Sequence, residues 1–393
     1  MASHKLNIHQ ATAAALYNQR ALYLEQPLIE ARLLMTVEGD IWRHLQVLSH
    51  CCKKWPAKQD ASQIFLQALG ERCEEESKRE WLVKTLCQAG PQQQAVFDAL
   101  CWQPQLLAAA VLVDLYQHQP ELRQLLFDLW RHRRDQIPAG LTSAAELRGQ
   151  NIDLQTAALR YGASRKDIGH ELFIPYFRDL NSAGTRQIPG KLLATALWGS
   201  LLRGTGQLYE PLWRGIETET DAKSLYRLLR IGALIATPEL PGVIRQYAKK
   251  YPAAAAELLA LHGTREAIDT LAGLTPPPAA ETDFQAAWLW VSGEYLHIEP
   301  RLQVVDKQQQ SPSLRPRDWW QQQRDSMASE QRLLFGGPLS IERIQSLAGQ
   351  WAGRYSLNLL DLLAYVQKAP VTATERVTLR QRQAILAQQG SGR

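Results

Sequence analysis

Apolar residues recur at spacings of three and four along most of this 393-residue chain. That period is typical of amphipathic α-helices, whereas the alternation of a half-buried strand is confined to a few short stretches. The sequence also contains no Asn-Gly dipeptide, the usual signal of a tight hairpin. The pattern therefore predicts an all-α protein.

The N-terminal part is predicted to form helices joined by short turns. A helix is expected over 8–24, where Pro27 ends the pattern, and a second from Leu28 towards Cys51 with an interruption near Gly39. Further helices are expected at 64–69, 78–87, 92–101, 106–116 and 121–132. Short connections favour neighbouring helices that pack side by side.

A period of helix pairs follows. The first helices are expected at 151–162, 191–199, 222–232 and 253–263, and the second helices at 168–177, 208–213, 240–247 and 265–271. The first helices end at Gly162, Gly199, Gly232 and Gly263, and Gly162 suits a left-handed C-cap. Units of this length bury their apolar faces only on each other, which favours a curved α-solenoid. The alternative is an irregular bundle whose glycines fall at these intervals by chance.

Three regions are predicted. An N-terminal helical region covers 1–90, the repeat array covers 91–275, and a C-terminal helical region covers 276–393 with a Pro/Gln-rich loop near 300–318. The prolines of 276–278 end the array. Helices are expected at 284–292, 317–323, 341–349 and 357–367, a turn at 336–338, and a frayed tail from Ala384.

Composition narrows the class of protein. The chain is 45% hydrophobic and 21% charged, with a net charge of +5 spread among both signs, which argues against nucleic-acid binding. No apolar run is long enough to span a membrane and no secretion signal is recognised, so a cytoplasmic protein is expected. An odd number of cysteines without C-x-x-C spacing predicts buried free thiols: Cys51, Cys52, Cys73, Cys87 and Cys101.

Catalytic signatures are absent from the sequence. The turn at 199–206 lacks the lysine and preceding strand of a phosphate loop, and no nucleophile elbow or zinc-protease helix occurs. His44 and His50 are six residues apart and do not share a helix face well, and 74–76 with its following cations is expected to be a solvated face. No catalytic, cofactor-binding or metal-ligating residue is predicted, and the chain is expected not to be an enzyme.

Two features are candidates for contact with a partner. Arg131 to Arg134 places three arginines at a helix end, where cations suit the helix dipole but also suit an acidic partner. Trp319 and Trp320 lie beside the Pro/Gln-rich passage, where they are expected either to cover a neighbouring groove or to bind a ligand.

The words Ala157-Ala-Leu-Arg-Tyr-Gly162 and Leu172-Phe-Ile-Pro-Tyr-Phe177 resemble the short HEAT-like repeats of phycobilin-lyase-related proteins, over about 90–275. The whole chain also resembles an uncharacterised bacterial family encoded beside type VI secretion genes. The matching words are His9 to Ala13, Gln19 to Leu22, Glu30 to Arg32, Trp42 to Leu45, Ala286 to Gly293, Ala369-Pro370 and Arg380-Gln381.

These resemblances imply a cytosolic accessory, effector-handling or immunity role around a contractile secretion apparatus. The leading expectation is a non-enzymatic scaffold or adaptor whose concave surface, formed by the second helices, binds a type VI component or effector. The alternative is an immunity protein that binds and occludes a toxin. A lyase-like enzyme is a third reading, for which the repeats offer no cysteine or carboxylate set. No individual partner-binding residue and no cofactor is assigned.

Overall fold

The computed structural model describes residues 2–51, 59–70, 75–142, 147, 150–177, 188–204, 208–296, 315–370 and 376–390. Most of these residues lie in helices, so the protein is mainly α-helical as the sequence predicts. The strands of the described part are two-residue segments in two antiparallel pairs. None of the described helices has both the length and the apolar character that crossing a membrane requires.

The described helices occur in the following order along the chain. The first are α1 (Ala2–Glu25), α2 (Ala31–Cys51), α3 (Ala61–Gly70), α4 (Glu75–Leu86), α5 (Pro91–Trp102), α6 (Ala109–His118), α7 (Arg123–Arg133) and α8 (Ile152–Ala163). Next come α9 (Gly190–Leu201), α10 (Tyr209–Thr218), α11 (Ala222–Leu234), α12 (Leu240–Ala248), α13 (Pro252–His262), α14 (Arg265–Gly273), α15 (Glu281–Ser292) and α16 (Pro316–Arg324). The last are α17 (Ile341–Gln350), α18 (Ser356–Gln367) and α19 (Leu379–Gly390). The strands are β1 (Ile29–Glu30), β2 (Leu333–Leu334), β3 (Gly337–Pro338) and β4 (Trp351–Ala352).

Contacts divide the chain into two compact units. Unit 1 consists of residues 1–173, 349–357 and 370–393, and unit 2 of residues 174–348 and 358–369. The regions 1–90, 91–275 and 276–393 stay a prediction about domain organisation. Most of the Pro/Gln-rich passage predicted near 300–318 lies outside the described residues.

In unit 1, α1 packs along α2, and α5 contacts both α3 and α7. Helix α2 runs without a break through Gly39, where the sequence suggested an interruption. β1 pairs with β4, so that Ile29 lies opposite Ala352. The unit thus joins the N-terminal helices to a segment from near the end of the chain.

The C-terminal helix α19 is anchored on α1 and α2. Thr378 and Gln381 form a reciprocal capping box, in which the side chain of each accepts from the backbone N–H of the other. The buried carboxylate of Glu38 accepts from the backbone N–H of Leu379 at 2.7 Å and from Nε of Arg20 at 2.8 Å. A negative charge beside the first residue of a helix also interacts favourably with the positive end of the helix dipole.

The tail predicted to fray from Ala384 remains helical to Gly390. Ile385 is buried with 8% exposure. Arg382, one turn earlier, donates to the Ser356 hydroxyl at 3.0 Å. These tertiary contacts stabilise the end of α19, although the local sequence predicts that it frays.

Unit 2 contains successive helix pairs. The first helices α9, α11, α13 and α15 contact one another in order, and the second helices α10, α12 and α14 pack against them. Neighbouring second helices also meet, with α14 touching both α12 and α16. Each pair therefore buries its apolar face against adjacent pairs.

The four glycines predicted to end the first helices have different roles. Gly263 ends α13 in the left-handed conformation, with φ of +65°. Gly162, Gly199 and Gly232 instead lie within the last turns of α8, α9 and α11. A Cβ on Gly162 would lie 2.5 Å from Cδ2 of Leu172. The left-handed C-cap expected at Gly162 is therefore wrong, and this glycine serves close packing.

The second helix predicted at 168–177 is not an α-helix. This stretch forms two 3-10 turns, His170–Leu172 and Ile174–Tyr176. Pro175 has no N–H to donate, and its ring disfavours the helical conformation of the residue before it. The regular pairs of α-helices accordingly begin at α9.

A short hairpin of β2 and β3 lies across the ends of α13 and α15. The N–H of Leu333 donates to the carbonyl of Gly263 at 2.9 Å, and the N–H of Gly336 donates to the carbonyl of Val291 at 2.8 Å. Gly336 has φ of +75°, and a Cβ there would lie 2.4 Å from the Ser292 carbonyl oxygen. The contact therefore requires glycine.

Arg332, at the start of this hairpin, binds the ends of two first helices. Its guanidinium donates to the carbonyls of Leu234 and Leu261, each at 2.8 Å, and to that of His262 at 3.0 Å. Burial lowers the pKa of Arg332 to about 10, so it stays charged at neutral pH. The cation satisfies carbonyls that have no partner within their own helices and opposes the negative ends of the helix dipoles.

Replacing Arg332 by Met is expected to lower the free energy of unfolding by about 2 to 4 kcal/mol, because several buried carbonyls lose their donor. Urea unfolding measures the change. Arg317→Met is the matched control, since Arg317 is exposed and donates to the single carbonyl of Ala272. Equal effects of the two substitutions would contradict the role of Arg332.

Candidate functional site

Two aromatic rings on α10 are partly exposed in unit 2. Tyr209 begins the helix with 47% exposure, and Trp213 follows one turn later. Their ring planes are parallel within 4° and their centroids are 6.1 Å apart. The Tyr209 hydroxyl donates to Oε2 of Glu239 at 3.0 Å. We name these three residues, Tyr209, Trp213 and Glu239, the Tyr209 patch.

The position of the patch follows from how α10 packs. Leu212, Gly215 and Ile216 are the buried residues of this helix. A Cβ on Gly215 would lie 2.7 Å from Cδ2 of Leu193, so α10 approaches α9 closely. The two rings, four residues apart, are left on a less buried side of the helix.

Two carboxylates, those of Glu239 and Glu217, act on the Tyr209 hydroxyl. The hydrogen bond to Glu239 raises the pKa of Tyr209, and the charges of Glu239 and Glu217 add to the effect. Glu210 forms an ion pair with Arg214 at 2.7 Å. Aromatic rings beside carboxylates suit a cationic side chain of a partner.

The arginines at the end of α7 are mostly paired within unit 1. Arg131 lies 3.7 Å from a carboxylate oxygen of Asp128. Arg133 lies 2.9 Å from Asp135, with only 3% of its side chain exposed. Arg134 forms the left-handed C-cap and is exposed. The structural role of the cluster therefore accounts for Arg131 and Arg133 and leaves Arg134 as the member on the surface.

His132 and Cys101 lie in the core of unit 1. His132 is 4% exposed and meets the ring of Phe97 edge-on at 5.6 Å. Burial lowers its pKa well below the usual value, so it is neutral at pH 7. Burial also raises the pKa of the free thiol Cys101 well above its usual value. A buried neutral thiol lacks the thiolate form that nucleophilic catalysis needs.

Asp98 joins three parts of unit 1. Its carboxylate accepts from the Tyr17 hydroxyl at 2.8 Å, from Nη1 of Arg376 at 2.9 Å and from Nε2 of Gln94 at 3.0 Å. The three hydrogen-bond donors lie on α1, on α5 and on the segment that precedes α19. The carboxylate therefore fixes the C-terminal segment on the N-terminal helices.

A second polar network lies in unit 2. Glu257, which is 6% exposed, accepts from Nδ2 of Asn358 at 2.9 Å, and Oδ1 of Asn358 accepts from Nε of Arg230 at 2.8 Å. Arg230 also pairs with Asp361. Burial opposes the charge of Arg230, but the attraction of Asp361 and Glu257 outweighs it and raises its pKa. The network ties α11 and α13 to α18.

His262 is held by hydrogen bonds on both ring nitrogens. Nε2 lies 2.9 Å from the carbonyl of Thr237, and Nδ1 lies 2.8 Å from the Thr264 hydroxyl. A carbonyl can only accept, so Nε2 carries the proton and the Thr264 hydroxyl donates to Nδ1. Burial lowers the pKa of His262 to about 4, which keeps the ring neutral.

Trp319 and Trp320 are both buried in unit 2, with 8% and 3% exposure. Trp319 meets Trp288 edge-on, and Nε1 of Trp320 donates to Asp269 at 2.8 Å. The two rings therefore pack against side chains of α14 and α15.

His44 faces a histidine that sequence spacing does not reveal. Its Nδ1 lies 2.8 Å from Nδ1 of His9, whereas Nδ1 of His50 lies 2.7 Å from the carbonyl of Gln46 on its own helix. His9 is 35 residues from His44, so no local pattern connects them. Across the described ranges, no group of three or more His, Cys, Asp and Glu side chains is arranged to hold a metal ion.

Several predicted features lie outside the described residues: Cys52, Cys73, Glu74 and residues 205–207 of the glycine-containing turn. Arg79 lies 3.5 Å from Glu76, and both side chains are exposed, as expected of a solvated face. Cys87 is a half-buried free thiol.

No protein-family model, curated protein or solved structure matches this chain. The Tyr209 patch is therefore the candidate site on the strength of its geometry alone.

The neutral state of His262 predicts a pH dependence of stability. Its pKa is about 4 in the folded protein, against about 6.5 in an unfolded chain, so the unfolded state binds more protons between these values. The free energy of unfolding is expected to fall as pH falls from about 6.5 to about 4, by up to about 3 kcal/mol from this group. Urea unfolding across this range measures the effect.

The variant His262→Gln isolates this contribution. It is expected to be less stable than the wild type at pH 7 and to show a shallower loss of stability on acidification. His118→Gln removes an exposed histidine of α6 and should keep the wild-type slope. An unchanged slope in His262→Gln would show that this ring does not account for the acid sensitivity.

Proposed function

We propose that this chain is a non-enzymatic scaffold or adaptor that binds another protein through unit 2 and is accessory to a type VI secretion system. The Tyr209 patch is the observation that carries the proposal. Partly exposed tyrosine and tryptophan rings contribute large contact areas at protein interfaces and are frequent among the residues that dominate binding. A carboxylate hydrogen-bonded to the patch adds a charge that a basic partner would complement.

The proposed architecture of the binding region is the solenoid of HEAT-like hairpins predicted over 91–275, which includes α9 to α14, with the second helices forming the concave surface. The ordered contacts of the first helices support it, because each pair buries its apolar face on its neighbours. The patch lies on α10, one of the second helices.

The buried ionisable groups support a non-enzymatic role. Asp98, Glu257 and His262 each bind side chains or carbonyls from other elements of their own unit. These bonds occupy the groups in holding helices together.

The association with type VI secretion rests on the sequence resemblance, and the same resemblance allows an immunity protein as the alternative. A cytoplasmic location accompanies both proposals. An adaptor would bind a secreted cargo or an apparatus component, whereas an immunity protein would form a tight one-to-one complex with a toxin.

Affinity capture of the tagged protein from its native host tests the proposal. The wild type is expected to recover a type VI component or effector, and the double variant Tyr209→Ala with Glu239→Lys is expected to recover at least tenfold less, because it removes a ring and reverses a charge. Tyr295→Ala with Glu294→Lys makes the same chemical changes at exposed residues of unit 2 and should recover as much as the wild type. Mass spectrometry quantifies the recovered proteins.

The outcomes separate the parts of the proposal. Undiminished capture by the Tyr209 variant would remove the patch as the site. Recovery of a toxin encoded by a neighbouring gene, in a one-to-one molar ratio with the tagged protein, would favour the immunity alternative. Recovery of no secretion-related protein by the wild type would overturn the type VI association.

A further inference from the structure

Two histidines from neighbouring helices of unit 1 point at each other. His9 is on α1 and His44 is on α2, and their Nδ1 atoms are 2.8 Å apart. The ring centroids are 5.0 Å apart and the ring planes meet at 58°. Both side chains are partly exposed, so the space between the nitrogens is close to solvent.

The distance constrains the protonation of the pair. Two imidazole nitrogens can meet this closely when one carries a proton and the other offers its lone pair. Burial, and after it the neighbouring His9, lowers the pKa of His44, which favours the neutral form of the His44 ring at pH 7. Neutral imidazole is the form that binds metal ions.

The same geometry is close to that of metal coordination. Metal–nitrogen bonds of about 2.0 to 2.1 Å at a tetrahedral angle place two ligand nitrogens roughly 3.3 Å apart. The observed pair therefore needs to open by roughly half an ångström to admit an ion, and partly exposed rings can turn by that amount. Asp40 lies one turn before His44 on α2 and pairs with Arg43, so a carboxylate is already near this end of the pair.

We propose that His9 and His44 bind a divalent transition-metal ion through their Nδ1 atoms, with the remaining coordination positions open to water. Imidazole ligands suit zinc, copper, iron and nickel. When both rings are neutral, the histidine that carries its proton on Nδ1 moves it to Nε2 on binding, and no net proton is released.

Titration of the untagged protein with nickel(II), followed by calorimetry, tests the site. The wild type is expected to bind one ion, and His9→Ala and His44→Ala are each expected to bind at least tenfold more weakly, because each retains a single ligand. His50→Ala is the matched control, since it removes an exposed histidine of the same helix and should bind as the wild type does.

Thermal unfolding gives a second readout. Nickel(II) is expected to raise the melting temperature of the wild type and of His50→Ala, because an ion bound only by the folded state stabilises it, and to leave His9→Ala and His44→Ala unchanged. Melting curves recorded without metal test whether each variant folds. If one variant does not fold, the other still allows the comparison with the wild type. Wild-type affinity in both histidine variants, or no saturable binding by the wild type, would overturn the proposal.

Discussion

The C-terminal ends of two first helices in unit 2, α11 and α13, depend on one cation, the guanidinium of Arg332. A helix finishes with carbonyl oxygens that have no donor within it, and burying several such ends side by side leaves acceptors without water. Arg332 meets this constraint because a planar guanidinium carries five donors and reaches carbonyls on α11 and α13 together. The hairpin that follows it adds backbone N–H groups that donate to the carbonyls of Gly263 and Val291. Arg332 and the hairpin thereby supply donors to the C-terminal ends of α11, α13 and α15.

Unit 1 contains the opposite case, in which a backbone N–H at the beginning of a helix needs an acceptor. Glu38 supplies a buried carboxylate to the first N–H of α19, and Arg20 balances its charge. Asp98 adds a second link through Arg376. Buried pairs of this kind contribute little net stability when compared with apolar residues, but removing one partner leaves an uncompensated charge. Their main effect here is to determine where the C-terminal segment packs.

This use of polar groups bears on function. Glu38, Asp98 and Glu257 are bound to a helix end or to other polar side chains inside their units, whereas the Tyr209 patch and the His9–His44 pair are partly exposed. The proposed partner binding through the patch and the proposed metal binding through the histidines involve different units. Each involves side chains that the packing of the helices does not require.

The sequence by itself determined the helical class and most helix positions, because apolar period and local capping act over a few residues. Asn151 is an example, since its side chain accepts from the N–H of Leu154 as its place before a helix predicts. The roles of the glycines were not determined in this way: Gly263 and Gly162 were both predicted to end a first helix, yet Gly263 ends one and Gly162 admits a neighbouring side chain. Only the tertiary structure decided these roles, together with the partners of Arg332 and the meeting of the two histidines. The physical reason is that these contacts join residues far apart in the chain, where packing rather than local propensity selects the neighbour.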